Sequence, residues 1–129
     1  MSAAGVVNLE AEAAARPDTW SPRIVADVSG TLVKVARVEG DFVWHDHAKE
    51  DEAFLVLKGE LTIRYEDRDD VILGPGDLHV VPAGVRHNPR ARGECLIALI
   101  EPKATAHTGD VVTPRTRSLA EQGGNDAVS

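Results

Sequence analysis

The chain has 129 residues, enough for one domain with a core of its own and too few for a second. Fourteen Lys and Arg stand against 21 Asp and Glu, a formal charge of −7, and the acidic surplus is scattered along the sequence. A nucleic-acid binder needs a basic face for phosphate, so that class is excluded, while scattered acid keeps a surface solvated.

Met1-Ser2-Ala3-Ala4-Gly5 has no basic segment leading into an apolar core, so no secretory leader is expected. Asn8 is placed to cap a short helix from Leu9 to Arg16, and Pro17 stops it. Residues 1–22 therefore read as an N-terminal arm with one short helical segment. From Arg23 the pattern changes to short runs, many rich in β-branched residues and punctuated by Gly, Pro or Asp. They are Ile24-Val25, Thr31 to Val38, Phe42 to His47, Ala53 to Leu57, Leu61 to Tyr65, Val71 to Leu73, Leu78 to Val81 and Cys95 to Ile100. Seven or eight such strands with no helix between them indicate an all-β sandwich or barrel over residues 23–102. Cys95, the single cysteine, rules out an internal disulfide and suits a reducing compartment. Its six-residue apolar run is among the longest present, far short of the roughly 18 that a membrane helix requires. Residues 103–129 form a polar tail. A soluble cytoplasmic protein without membrane or nucleic-acid partners is expected.

Leu57-Lys58-Gly59-Glu60 reads as a tight hairpin turn with Gly59 at positive φ. That register puts Glu52, Phe54 and Val56 on one face with Leu61, Ile63 and Tyr65. Leu55 and Leu57 fall on the other face beside Thr62 and Arg64. With apolar residues on both faces, one fills a barrel and the other is covered by a second sheet or a second subunit.

His45-Asp46-His47 carries the chemical signal. On an extended strand, side chains at i and i+2 share a face, so both imidazoles can reach one ion while Asp46 points away. Glu52 follows five residues later and His87 another 35 on. Three imidazoles and a carboxylate form a mixed N/O set that suits Fe, Mn, Ni, Cu or Zn rather than Mg or Ca. An isolated His-x-His is more often a solvated or core pair, so the surrounding frame has to decide. His79 reads as a strand residue away from such an ion, and His107 as a solvated residue of the tail. Trp44 and Phe42 are placed opposite His45, as core or interface. Arg86 should project away from its neighbour His87. Tyr65, sharing the face of Glu52, is the candidate for a supporting catalytic hydroxyl.

Residues 40–59 resemble the first cupin motif, G-x5-H-x-H-x3,4-E-x6-G, and residues 76–87, Gly-Asp-Leu-His-Val-Val-Pro-Ala-Gly-Val-Arg-His, resemble the second, G-x5-P-x-G-x2-H. The resemblance implies a double-stranded β-helix, or jelly-roll, barrel with His45, His47, Glu52 and His87 as ligands of one divalent transition metal per chain. Asp51 also satisfies the shorter spacing, but six residues between Glu52 and Gly59 favour Glu52. The sequence departs from the family pattern twice. Only four residues separate Gly40 from His45, and the Asn that closes the family's second motif, with three residues between it and the last His, falls at Ala91, with Asn88 as a substitute. Trp20 to Val25, Leu99 to Pro102 and Thr108-Gly109-Asp110 are similar to small single-domain cupins often described as mannose-6-phosphate isomerase-like. By that resemblance a homodimer is expected, with Trp20 to Val25 docked on the partner's sheet.

Four ligands closing a tetrahedral zinc would make the site structural. Six-coordinate Fe, Mn or Ni leaves two adjacent positions for water, substrate or O₂. Three readings follow: a small metalloenzyme (dioxygenase, isomerase or lyase) acting on a polar, carboxylate or sugar-like chelating substrate; a non-catalytic small-ligand sensor; or a structural-metal barrel.

Overall fold

The computed structural model describes residues 5–105 and 116–123. It contains one helix, α1 (Leu9–Ala14), and seven strands: β1 (Arg23–Val28), β2 (Thr31–Asp41), β3 (Glu52–Lys58), β4 (Leu61–Tyr65), β5 (Val71–Leu73), β6 (Leu78–Val81) and β7 (His87–Pro102). Every strand pairing is antiparallel, and the strands form the jelly-roll barrel. Asn8 caps α1 as its sequence suggests, its Oδ1 accepting from the Ala11 N–H at 2.9 Å. The helix stops at Ala14, short of Arg16, whose Nε donates to the Ser21 carbonyl and whose own carbonyl accepts from Arg37 Nε. Among the described residues no helix is long and apolar enough to cross a membrane.

β7 is the spine. β2 runs along one of its edges, from Thr31↔Pro102 to Asp41↔Arg90. The other edge is shared by two strands in succession: β3 from Ala53↔Ile100 to Lys58↔Leu96, then β4 from Thr62↔Arg90 to Tyr65↔His87. The chain therefore does not reverse at Gly59, and the expected β3–β4 hairpin is corrected. Gly59 is an irregularity in one long antiparallel run. Its φ is 90°, and a Cβ there would lie 2.8 Å from the Glu94 carbonyl oxygen and 3.1 Å from Cys95 Cα. A positive-φ Gly serves a bulge as well as a turn, so the local sequence fits both. The bulge also shifts the side-chain alternation by one residue. Phe54 and Val56 thus share the barrel core with Leu61, Ile63 and Tyr65, the grouping that the hairpin register gave for a different reason.

Two strand boundaries differ from the sequence reading. β7 starts at His87, eight residues before the apolar run at Cys95, because the polar stretch between them is held by ladder bonds to β4 and β2. Phe42 to His47 is not a regular strand. It follows β7 through Phe42 N–H to the Pro89 carbonyl and the reciprocal His45–His87 pair, a slip of one residue that breaks the ladder.

The barrel interior takes alternate residues of each strand: Ala36 and Val38 from β2, Phe54 and Val56 from β3, Cys95, Ile97 and Leu99 from β7. Burial raises the Cys95 thiol to about 11, helped by Glu60, which makes it inert. On the outside, Ala13 of α1 packs with Val25, Val35, Leu96 and Ala98, so part of the second apolar face is covered by the chain's own helix. The Trp20 to Val25 segment likewise lies on its own barrel. Trp20 N–H donates to the Arg37 carbonyl and β1 pairs β2 of the same chain.

Gly59→Ala should lower stability by about 3 kcal/mol, combining left-handed strain with a backbone clash. Gly76→Ala, at a φ of 87° with nothing within 4 Å, should lose only about 1 kcal/mol. Urea denaturation of both variants checks this, and equal losses would contradict the bulge assignment.

Candidate metal centre

Three segments deliver four side chains to one point inside the barrel. His45 and His47 come from the segment after β2, Glu52 opens β3 and His87 opens β7. The reciprocal bonds between His45 and His87, 3.0 and 2.9 Å, fix the first segment against β7. All four residues are buried, none more than 4% exposed, and their candidate ligand atoms lie within 4.8 Å of one another. His47 Nε2 and His87 Nε2 stand 3.3 and 3.6 Å from Glu52 Oε1. His45 Nδ1 is 2.9 Å from the Val43 carbonyl and His87 Nδ1 is 3.0 Å from that of Val85. A carbonyl there assigns the proton to Nδ1 and leaves the Nε2 lone pair for a cation. Both His47 nitrogens, Glu52 Oε1 and His87 Nε2 are buried with no hydrogen-bond partner. Orphaned buried polar atoms are costly, and a single cation would satisfy Glu52 Oε1, His87 Nε2 and one nitrogen of His47, so the residues fit a metal. Asp51 is exposed and accepts from the Ala83 N–H at 2.8 Å, which leaves Glu52 as the carboxylate of the cluster.

Charge is tightly balanced here. Burial, with His87 adding to it, lowers His45 to about 4. Burial also pulls His47 down, but the Glu52 carboxylate outweighs it and raises that imidazole. Burial would raise Glu52, yet His47 and His87 hold it well below the usual carboxylate range. Behind Glu52 lies a pair that the sequence reading missed. Lys34 Nζ and Glu101 Oε2 are 3.5 Å apart, and both side chains are fully enclosed. Burial and the neighbouring Glu52 push the Glu101 carboxyl well up, against the pull of Lys34. The signal was available: on β2, Lys34 has the parity of Leu32, Ala36 and Val38, all buried.

Around the cluster, Tyr65 pairs with His87 in the β4–β7 ladder and its ring centre is 6.5 Å from the imidazole. The hydroxyl is engaged by His79 Nε2 at 2.7 Å, not by any of the four clustered residues. His79 sits on β6 opposite Phe54 and outside the cluster. Arg86 turns outward to Glu66 at 3.0 Å, and Trp44 lies beneath Arg64 and Arg86. Phe42 is corrected. With the segment irregular, its ring packs edge-on to His45 at 5.6 Å and stacks on Trp20 at 4.8 Å. Asn88 is buried, donates to the Phe42 carbonyl at 2.9 Å and accepts from Arg64 Nε at 2.9 Å, while Ala91 packs in the core. His107 and Thr108-Gly109-Asp110 lie outside the described residues. Beside His45 and Glu52 opens a small pocket of about 30 Å³, walled by Trp20, Val38, Phe42, Phe54, Ile97 and Leu99.

A family model described as the Cupin domain matches residues 31–101. A Bacillus subtilis protein described as uncharacterized protein YdbB is 34% identical over 67 residues, 52% of this chain and 59% of that relative, so the chain matches less than two thirds of it. The crystal structure of a cupin-2 domain containing protein from Shewanella frigidimarina is 41% identical, over 76% of this chain and 95% of that one, with a TM-score of 0.72. Hydroquinone 1,2-dioxygenase from Sphingomonas sp. TTNP3 is 17% identical over 76% of this chain and 74% of its own, with a TM-score of 0.67, a likeness of fold alone.

Buried His45 works against the metal-free protein in acid. In the unfolded chain His45 takes a proton near pH 6.5, but in the native state only near pH 4. As pH falls through that window the unfolded state binds a proton that the native state refuses, so His45 lowers stability on acidification and has no effect above it. One proton corresponds to about 1.4 kcal/mol per pH unit, so the stability difference between wild type and His45→Gln should shrink by about 3 kcal/mol from pH 6.5 to 4. Urea titrations of the metal-free proteins measure it, and a pH-independent difference would refute the assignment.

Proposed function

This chain belongs to the Cupin domain family, and we propose that it is a small metal-dependent enzyme in which His45, His47, Glu52 and His87 hold one divalent transition metal, Fe, Mn, Ni, Cu or Zn. The observation that carries the reading is the set of buried, partnerless nitrogen and oxygen atoms converging inside the barrel. When bound, such a metal supplies Lewis-acid polarisation of a substrate oxygen and, if it is iron, a route for electrons to O₂. Three neutral imidazoles and one carboxylate leave a divalent ion with a net charge near +1, so an oxygen-chelating anionic small molecule suits the site.

The chain's own residues have definable tasks. Val43 and Val85 present carbonyls that hold His45 and His87 with Nε2 inward. Tyr65 and His79 form a hydrogen-bonded pair beside His87, able to hold or pass a proton at the Tyr65 oxygen. Trp20 and Phe42 form an aromatic wall on the side of His45. A pocket reaching His45 and Glu52 favours catalysis over a purely structural metal, which would have no use for it. A non-catalytic sensor of the same ligand is the second reading, and turnover separates the two.

The outward residues Leu78 and Val80 of β6, 57% and 46% exposed, adjoin Leu55 and Ala53 in the β3–β6 ladder. This apolar sheet face supports a homodimer. Light scattering at micromolar concentration should give twice the chain mass, and a monomer would remove that part of the proposal.

Purified protein reconstituted with Fe, Mn, Ni or Zn should carry close to one metal per chain by elemental analysis, and His87→Ala should lose most of it while keeping the barrel's circular dichroism. The Fe(II) form, prepared without oxygen, should bind nitric oxide and give a high-spin iron–nitrosyl EPR signal. Full zinc loading that resists exchange, together with no nitrosyl signal, would refute the enzyme reading in favour of a closed structural site.

A further inference from the structure

Two of the four clustered residues, His45 and His47, sit on a stretch of chain that is not a regular strand. Its backbone ties to β7 are out of step. Phe42 N–H is donated to the Pro89 carbonyl at 2.9 Å, and His45 exchanges both bonds with His87. Three residues are traversed on one side and two on the other, so Val43 and Trp44 accommodate an extra residue, as in a β-bulge. Phe42 continues the β2–β7 register by one step beyond Asp41↔Arg90. In such an antiparallel pair the return bond runs from the partner's N–H to the same residue's carbonyl. Proline has no N–H, so Pro89 cannot give it. Asn88 takes its place: Nδ2 donates to the Phe42 carbonyl at 2.9 Å, from a residue only 1% exposed. With the amide nitrogen turned to a carbonyl, Oδ1 is left to accept. It does so from Arg64 Nε at 2.9 Å and from Arg64 Nη2.

Arg64 closes the circuit. It stands opposite Asn88 in the β4–β7 ladder, and its guanidinium lies over the Trp44 ring, 5.5 Å from the centre. Asn88 and Arg64 thus grip the residues on both sides of Val43, Phe42 by its carbonyl and Trp44 by its ring. Val43 is the residue whose carbonyl stands 2.9 Å from His45 Nδ1 and leaves Nε2 facing the cluster. A shift of that carbonyl would swing the imidazole with it.

We propose that Asn88 is a positioning residue for the metal centre: with Arg64 it fixes the Val43–Trp44 bulge, so that the Val43 carbonyl orients His45 toward the ion. The inference rests on the proposed metal site and gives a task to two residues that offer no ligand themselves. Outer partners of a coordinating imidazole are worth about tenfold to a hundredfold in metal affinity. Asn88 acts one step further out, through the Val43 carbonyl, so its loss should fall at the low end of that range.

The test uses full-length protein loaded with cobalt(II), whose visible absorption reports ligand geometry and whose affinity is read by chelator competition. Asn88→Ala should weaken cobalt binding by about tenfold and alter the visible spectrum, while the far-ultraviolet circular dichroism stays that of wild type. Pro89→Ala in the Asn88→Ala background restores a backbone N–H opposite the Phe42 carbonyl. It should recover most of the affinity and the wild-type spectrum, which a side chain that only filled space would not allow. If Asn88→Ala does not fold, Arg64→Met at its partly exposed position frees Asn88 and Trp44 from the guanidinium. That variant should weaken cobalt binding by about threefold, a fraction of the effect of an outer partner. Folded Asn88→Ala protein with wild-type affinity and spectrum overturns the inference and leaves the metal site standing. A loss that Pro89→Ala does not recover overturns it too, as does unchanged affinity in Arg64→Met. Wild-type protein that loads no cobalt removes the proposed metal site, and this inference with it.

Discussion

The antiparallel run along β7 is the constraint on which the rest of the molecule depends. Its second half, from Cys95, pairs β2 on one edge and β3 on the other, and those strands enclose the apolar interior. Its first half pairs β4, and its opening residue His87 exchanges two hydrogen bonds with His45. Residues 92–94 are left out of the β2 register between Ala91 and Cys95, and at that break the strand passes from one set of neighbours to the other. Glycines lie opposite the break on both sides: Gly40 pairs with Ala91, and Gly59 approaches the Glu94 carbonyl. Any side chain at Gly59 would push the β3–β4 run off the spine and disturb the strand that begins with Glu52.

A barrel interior that holds four ligand-type side chains and a Lys–Glu pair is expensive without compensation. Removing ionisable groups from water costs several kcal/mol each unless every polar atom finds a partner. Lys34 and Glu101 compensate each other in part. His47, Glu52 and His87 retain buried atoms with no hydrogen-bond partner. The interior therefore stores an unmet demand for positive charge at one point, and elsewhere is packed with aliphatic and aromatic residues. A demand so localised is what distinguishes a binding centre from a merely polar core.

The arm converts a general scaffold into a particular pocket. Residues 16–22 lie across β2, tied by Arg37 through three carbonyls and by the short parallel bridge of Thr19 to Arg37. That anchorage places Trp20 against Phe42, and Phe42 against His45. The cluster is thus polar toward the carboxylates and aromatic toward the arm. Two chemically different sides on one metal-sized point are a means of orienting a ligand as well as holding it.

By itself the sequence determined the types and order of the residues that cluster, and the strand periodicity. A period of two fixes which side chains share a face within a strand, and the spacing of His45, His47, Glu52, Gly59 and His87 fixes the motif frame. It also carried the burial of Lys34, whose parity matches Leu32 and Ala36, though its charge concealed it. Only the tertiary structure decided which strands meet. Backbone ladder bonds are alike whatever side chains flank them, so nothing local distinguishes Gly59 as a bulge from Gly59 as a hairpin, or shows that polar His87 to Glu94 is strand. For the same reason, the contact between Trp20 and Phe42 and the pairing of Tyr65 with His79 were beyond any one-dimensional pattern. Each joins residues whose proximity depends on the path of the whole barrel.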